Sequence, residues 1–191
     1  LINLAVDDPA AAVQWASLFG TALIAPLAAG LAARLWQRPG LFAPVWLLVL
    51  ALPLTPTLAL SGLSDGPALA AWLGALLALQ HRKPALAGLL LGLLLALRPS
   101  YLVLALLPLW LGLHHKGERI RFVLPIALVG LASLLFVWQA DGWAYFAEGR
   151  RFTDGHFTLW GNTAAAHGDR LLSWAHTFSD QLTPLGPLPM G

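Results

Sequence analysis

Few side chains in this chain could do chemistry, and they are grouped in short polar breaks between long apolar runs. Asp65 lies in Ser61-Gly62-Leu63-Ser64-Asp65-Gly66-Pro67. A carboxylate held at a membrane–water boundary beside a cavity can have a raised pKa and serve as a base or a ligand. The same residues also suit a plainer role. Serine, aspartate, glycine and proline are turn formers, and Asp65 can cap the helix that opens at Pro67. Arg98 follows in Ala96-Leu97-Arg98-Pro99-Ser100-Tyr101. A lone arginine in apolar surroundings must pair, snorkel to a headgroup or bind an anion. Its planar fork matches two oxygens of a lipid phosphate.

Two further groups stand nearer the termini. Asp7-Asp8-Pro9 precedes a helix, where paired acids favour the N-terminal dipole; a catalytic role would need partners upstream of Leu1. Beyond Asp141, the stretch Gly149 to Asn162 mixes Arg150, Arg151, His156 and Trp160 with other aromatic and hydrogen-bonding groups. Sugar-binding faces combine flat apolar rings with polar groups in this way, and so do half-wet interfacial loops. Further on, Leu171, Leu172, Ala175, Phe178 and Leu182 recur at helical spacing opposite Asp169, Arg170, Ser173 and Thr177. This predicts an amphipathic helix on the membrane or the bundle.

His156, His167 and His176 have no ligand spacing, so no metal site is expected. His114-His115, beside Lys116, reads as a solvated loop. No GxxxxGK[ST], GxGxxG after a strand or nucleophile elbow occurs, so no nucleotide or other cofactor is implied. There is no cysteine, which excludes disulfides and cysteine-based zinc sites.

The elements that must position these groups are apolar. Of the 191 residues 58% are hydrophobic and 10% charged, and mean hydropathy is +0.72. Soluble domains are about one quarter charged, so the composition points to a polytopic membrane protein. A net charge of +2, spread over the chain, makes no nucleic-acid stripe. The chain starts at Leu1 and its methionine is Met190, so it reads as a piece of a longer chain, whose remainder would be a partner.

A helix needs about 20 mostly apolar residues to cross a bilayer core of about 30 Å. The candidates are Ala12–Leu35, Leu41–Leu60, Pro67–Gln80, Pro84–Leu97, Tyr101–Leu113 and Ile120–Gln139. The middle three fall short of a usual span. Fusing Pro84 to Leu113 would bury Arg98 at mid-bilayer, at about 2.5 kcal/mol or more. Two helices with a turn at Arg98-Pro99-Ser100 are therefore expected, because proline disfavours helical geometry in the residue before it.

The fold class that follows is an all-α bundle of about six spans over residues 1–139, with an extracytoplasmic or interfacial tail over 140–191. Arg34 and Arg38, Arg82 and Lys83, and Lys116, Arg119 and Arg121 all fall on one side. They are seven of the eleven basic residues. Basic residues in short loops mark the cytoplasm, which places the tail outside. Trp15, Trp36, Trp110, Trp138 and Trp143 fall at span ends, as interfacial tryptophans do. Gly88 and Gly92 form a GxxxG, a spacing that arises easily by chance in such a span and carries no functional weight.

The run Leu60 to Pro67, a short apolar helix, the basic turn His81-Arg82-Lys83, and Gly88-Leu-Leu-Leu-Gly92 leading into Ala96-Leu97-Arg98-Pro99-Ser100-Tyr101 resembles multi-pass glycosyltransferases of the GT-C type. The resemblance covers about two thirds of the chain. It implies transfer of a sugar from a polyprenyl-phosphate carrier to an acceptor outside the cytoplasm, by a multi-pass protein of a bacterial inner (plasma) membrane, among membrane lipids. It makes Asp65 an accessory carboxylate and Arg98 a phosphate contact. The family's usual base sits in a first outer loop that would precede Leu1, and Asp7-Asp8 does not match it residue by residue. Two readings from other classes stand beside this one. Short broken helices also surround transporter sites, and a scaffold subunit would use Asp65 and Arg98 only as cap and anchor.

Overall fold

The computed structural model describes residues 9–60, 64–114, 117–142, 144 and 147. Asp7 and Asp8, Arg150, Arg151, His156 and Trp160, and the amphipathic segment at 169–182 lie outside the described residues. Every element among the described residues is helical: α1 (Pro9–Leu35), α2 (Phe42–Ala51), α3 (Leu54–Leu60), α4 (Asp65–Gln80), α5 (Pro84–Leu97), α6 (Leu102–His114) and α7 (Arg119–Asp141). Short 3₁₀ turns at Pro39–Leu41 and Pro99–Tyr101 lead into α2 and α6. Contacts divide the chain into Leu1–Ala132 and Ser133–Gly191, and the packing below belongs to the first unit.

The central helix is α4, with nine of its sixteen residues buried. Its core stripe is Ala68, Ala71, Ala75 and Ala78, spaced at three and four residues and so on one helical face. Leu91 and Leu94 of α5, Ala105 of α6 and Phe122 of α7 fill against it. On another side, Ala70 and Leu73 meet Ile24 of α1. Small residues let the backbones come close, which is how helices associate where lipid removes the hydrophobic drive. A Cβ on Gly20 would sit 2.5 Å from the Pro67 Cα, one on Gly66 would strike the Thr21 hydroxyl, and one on Gly88 would strike the Phe122 carbonyl oxygen. The GxxxG pair is therefore used: Gly88 and Gly92 form the seam on which α7 packs.

The second expected span is not one straight helix. Pro53 has no N–H to give the Val49 carbonyl, and Pro56 none for Leu52. The helix breaks between Ala51 and Leu54 and bends by 65°. Thr55 Oγ1 donates to the freed Val49 oxygen at 2.6 Å, and the Thr55 N–H donates to Leu52 at 3.0 Å. Pro108 does the same to Leu104 inside α6, and here a neighbour answers: Trp72 Nε1 of α4 donates to the Leu104 carbonyl at 2.8 Å.

By length and composition, Ala11–Leu35 and Arg119–Ala140 can each cross a membrane, and the bent pair Pro39–Ala51 and Leu54–Leu60 makes a third if it counts as one span. The helices Pro84–Leu97 and Pro99–His114 are apolar but shorter. Val103, Leu60 and Ile120 are among many large apolar residues facing outward, far more than a water-soluble surface carries.

Candidate functional site

Sequence locally dictates where Arg98 goes. As the residue before Pro99 it is pushed out of the helical region, and it takes φ −147° and ψ 83°, ending α5. The turn Pro99–Tyr101 that follows is 3₁₀, with the Tyr101 N–H donating to the Arg98 carbonyl at 3.0 Å. At three residues per turn, side chains at positions i and i+3 eclipse. Arg98, just before this turn, and Tyr101, its last residue, are turned to a common partner.

Both reach Asp65. Arg98 Nε donates to Oδ1 at 2.7 Å and Nη2 to Oδ2 at 2.9 Å, a two-pronged fork, and the Tyr101 hydroxyl donates to Oδ1 at 2.9 Å. Asp65 itself opens α4, where the unpaired N–H groups of the first turn favour a carboxylate. The tight Gly20–Pro67 and Gly66–Thr21 contacts hold that turn against α1. The Asp65 side chain is 14% exposed and that of Arg98 39%.

The structure thus brings Asp65 and Arg98 together, across 33 residues of chain. It does not make Asp65 a capping residue. Ser64 occupies the cap position with no side-chain cap bond, and the Asp65 carboxylate turns away from its own helix toward α5 and α6. Bonding to Asp65 raises the guanidinium pKa above its ordinary value. Three donors converge on the carboxylate. Its evident role is to fix the plane of the guanidinium. Tyr101 is the group that residue types alone did not single out. The signal for it was its spacing of three from Arg98 across a proline.

Two cavities lie at the opposite end of α4. One of about 310 Å³ is lined by Arg82, Lys83 and Glu118, and one of about 750 Å³ by Arg34, Gln37, Gln80 and His81. The turns carrying Arg34, Arg82 and Glu118 thus gather at one end of the bundle. Among the described residues no three histidine, aspartate or glutamate side chains come together to hold a metal.

No family matches the chain, and no curated protein or solved structure is significantly similar to it.

Proposed function

We propose that the chain belongs to an integral membrane glycosyltransferase of the GT-C type, moving a sugar from a polyprenyl-phosphate carrier to an acceptor outside the cytoplasm. The observation that supports this is the Asp65–Arg98–Tyr101 cluster. One edge of the guanidinium is fixed by the carboxylate, while more than a third of the side chain stays exposed. A guanidinium so oriented presents its remaining N–H groups in a set direction, as recognition of a phosphate requires. In this reading Asp65 positions Arg98, Arg98 stabilises the charge that grows on the departing lipid phosphate, and the base comes from elsewhere. Asp7 and Asp8 are the candidates for it in this sequence. The chain crosses a bacterial inner membrane about six times, with the basic turns in the cytoplasm. Residues 140–191 lie outside, where Arg150, Arg151, His156 and Trp160 contribute to the sugar or acceptor site.

One observation favours a second reading. Both oxygens of Asp65 are engaged, as they would be in a structural clasp between α4 and the α5–α6 break with no catalytic part. Arg98→Lys separates the two. Lysine retains the charge and can keep one contact to Asp65 but loses the fork. In membranes supplied with a radiolabelled polyprenyl-phosphate sugar, a donor contact predicts a large loss of transfer at near-unchanged thermal stability. A clasp predicts that activity falls no further than stability does.

A further inference from the structure

The basic end of α4 carries a second site. Its cavity of about 750 Å³ lies where the C-terminal turns of α1 and α4 part beyond the Gly30–Leu77 contact. The size is within the range of about 300–1,000 Å³ usual for small-molecule sites. Its polar wall is Arg34, Gln37, Gln80 and His81, over a floor that includes Ala33 and Leu77. No carboxylate lines it. The cavity on the other side of α4 differs in this respect, since Glu118 there stands with Arg82 and Lys83 as a built-in counter-charge. Among the described residues Arg34 has no ion-pair partner.

Two helix C-termini would ordinarily repel an anion, each acting as about half a negative charge on its last carbonyls. Here three of the last four carbonyls of each helix already accept backbone N–H groups. Ala32, Ala33 and Arg34 accept from Trp36, Arg38 and Gln37, while Leu77, Ala78 and Leu79 accept from His81, Lys83 and Arg82. Each closure runs through a residue in the left-handed region, a position that usually falls to glycine. Here they are Gln37 at φ 53° and Arg82 at φ 54°. Side chains rarely adopt that conformation, and at Gln37 it sets a hydrogen-bonding group in the cavity wall.

We propose that this cavity binds a phosphate-bearing lipid headgroup, with Arg34 as the cationic contact and Gln37, Gln80 and His81 as hydrogen-bonding neighbours. Basic pockets between membrane helices are suited to anionic headgroups, and the apolar floor suits the glycerol and first methylenes. The site is distinct from Asp65 and Arg98 and does not depend on the transferase reading.

The test is native mass spectrometry of the full chain in detergent, titrated with phosphatidylglycerol, phosphatidylcholine or inorganic phosphate. Phosphatidylglycerol should remain bound where phosphatidylcholine does not. Arg34→Gln should weaken its retention about fivefold, the worth of one cation near an anionic headgroup. Gln37→Gly relieves the strained backbone while removing a donor, so it should weaken retention without loss of folding. Arg119→Gln, whose guanidinium is occupied by the Leu113 carbonyl, should leave retention unchanged. Displacement of the lipid by millimolar inorganic phosphate would support the phosphate chemistry and make the free ion the ligand. Equal retention of both lipids, or equal losses in Arg34→Gln and Arg119→Gln, would overturn the site in favour of diffuse surface charge.

Discussion

The two ends of α4 are built on opposite principles. At its start a carboxylate, a guanidinium and a phenol close on one another, and the charge is neutralised inside the protein. At its finish, about 24 Å away by helical rise, the cations Arg34 and Arg82 line open cavities. The first end ties helices together and leaves one edge of a guanidinium to the outside. The second has no cross-helix ion pair among the described residues and leaves Arg34 facing an open cavity. A helix with a closed polar end and an open one divides its roles between them. Mutations at the start should register as stability, and mutations at the finish as ligand preference.

The contrast is tested most severely by Asp65→Ala. It strands Arg98 and Tyr101 together, and unfolding in detergent followed by circular dichroism should show a loss of about 2 kcal/mol. That is below the 3–5 kcal/mol of a fully buried pair because Arg98 is partly solvated. Arg98→Ala should cost a similar amount and the double variant less than the two together. Strict additivity would show that the fork contributes no coupling. Gly20→Ala comes next. Its methyl meets backbone atoms of Pro67, so α1 must move away from the first turn of α4. The expected cost is about 1–2 kcal/mol, and the same shift should reduce any activity that depends on Arg98.

Smaller effects sharpen the comparison. Trp72→Phe keeps the ring but orphans the Leu104 carbonyl, for about 1 kcal/mol. At the open end, Arg34→Gln should change thermal stability by no more than about 0.5 kcal/mol, as surface substitutions do. A larger fall would mean that this end is also structural.

Much of this frame was legible in the residues. Pro99 forces the break between α5 and α6, and the apolar runs delimit α1 and α7 within a few residues. The pairing of Asp65 with Arg98 rests on both turns returning to one face, and the alternation of basic loops suggested as much. What could not be read was how the carboxylate is used. Capping and cross-helix pairing draw on the same turn chemistry, and only the convergence of Arg98 and Tyr101 on Asp65 decides between them. The break after Ala51 was hidden for a different reason. A single proline in an apolar helix is usually tolerated, whereas Pro53 and Pro56, three apart, free the carbonyls of Val49 and Leu52, both of which Thr55 then bonds. The GxxxG spacing was likewise mute until a carbonyl was found resting on Gly88.

The Trp72 bond to Leu104 also bears on the order in which the protein is made. Pro108 leaves α6 with one carbonyl that its own helix cannot satisfy, and in a bilayer such a group would have no partner among lipid tails. The donor is encoded 32 residues earlier, so it is made before α6. Asp65 and Arg98 stand in the same sequence, the acceptor before the donor. Thus α4, made early, carries the partners that the polar groups of later segments need.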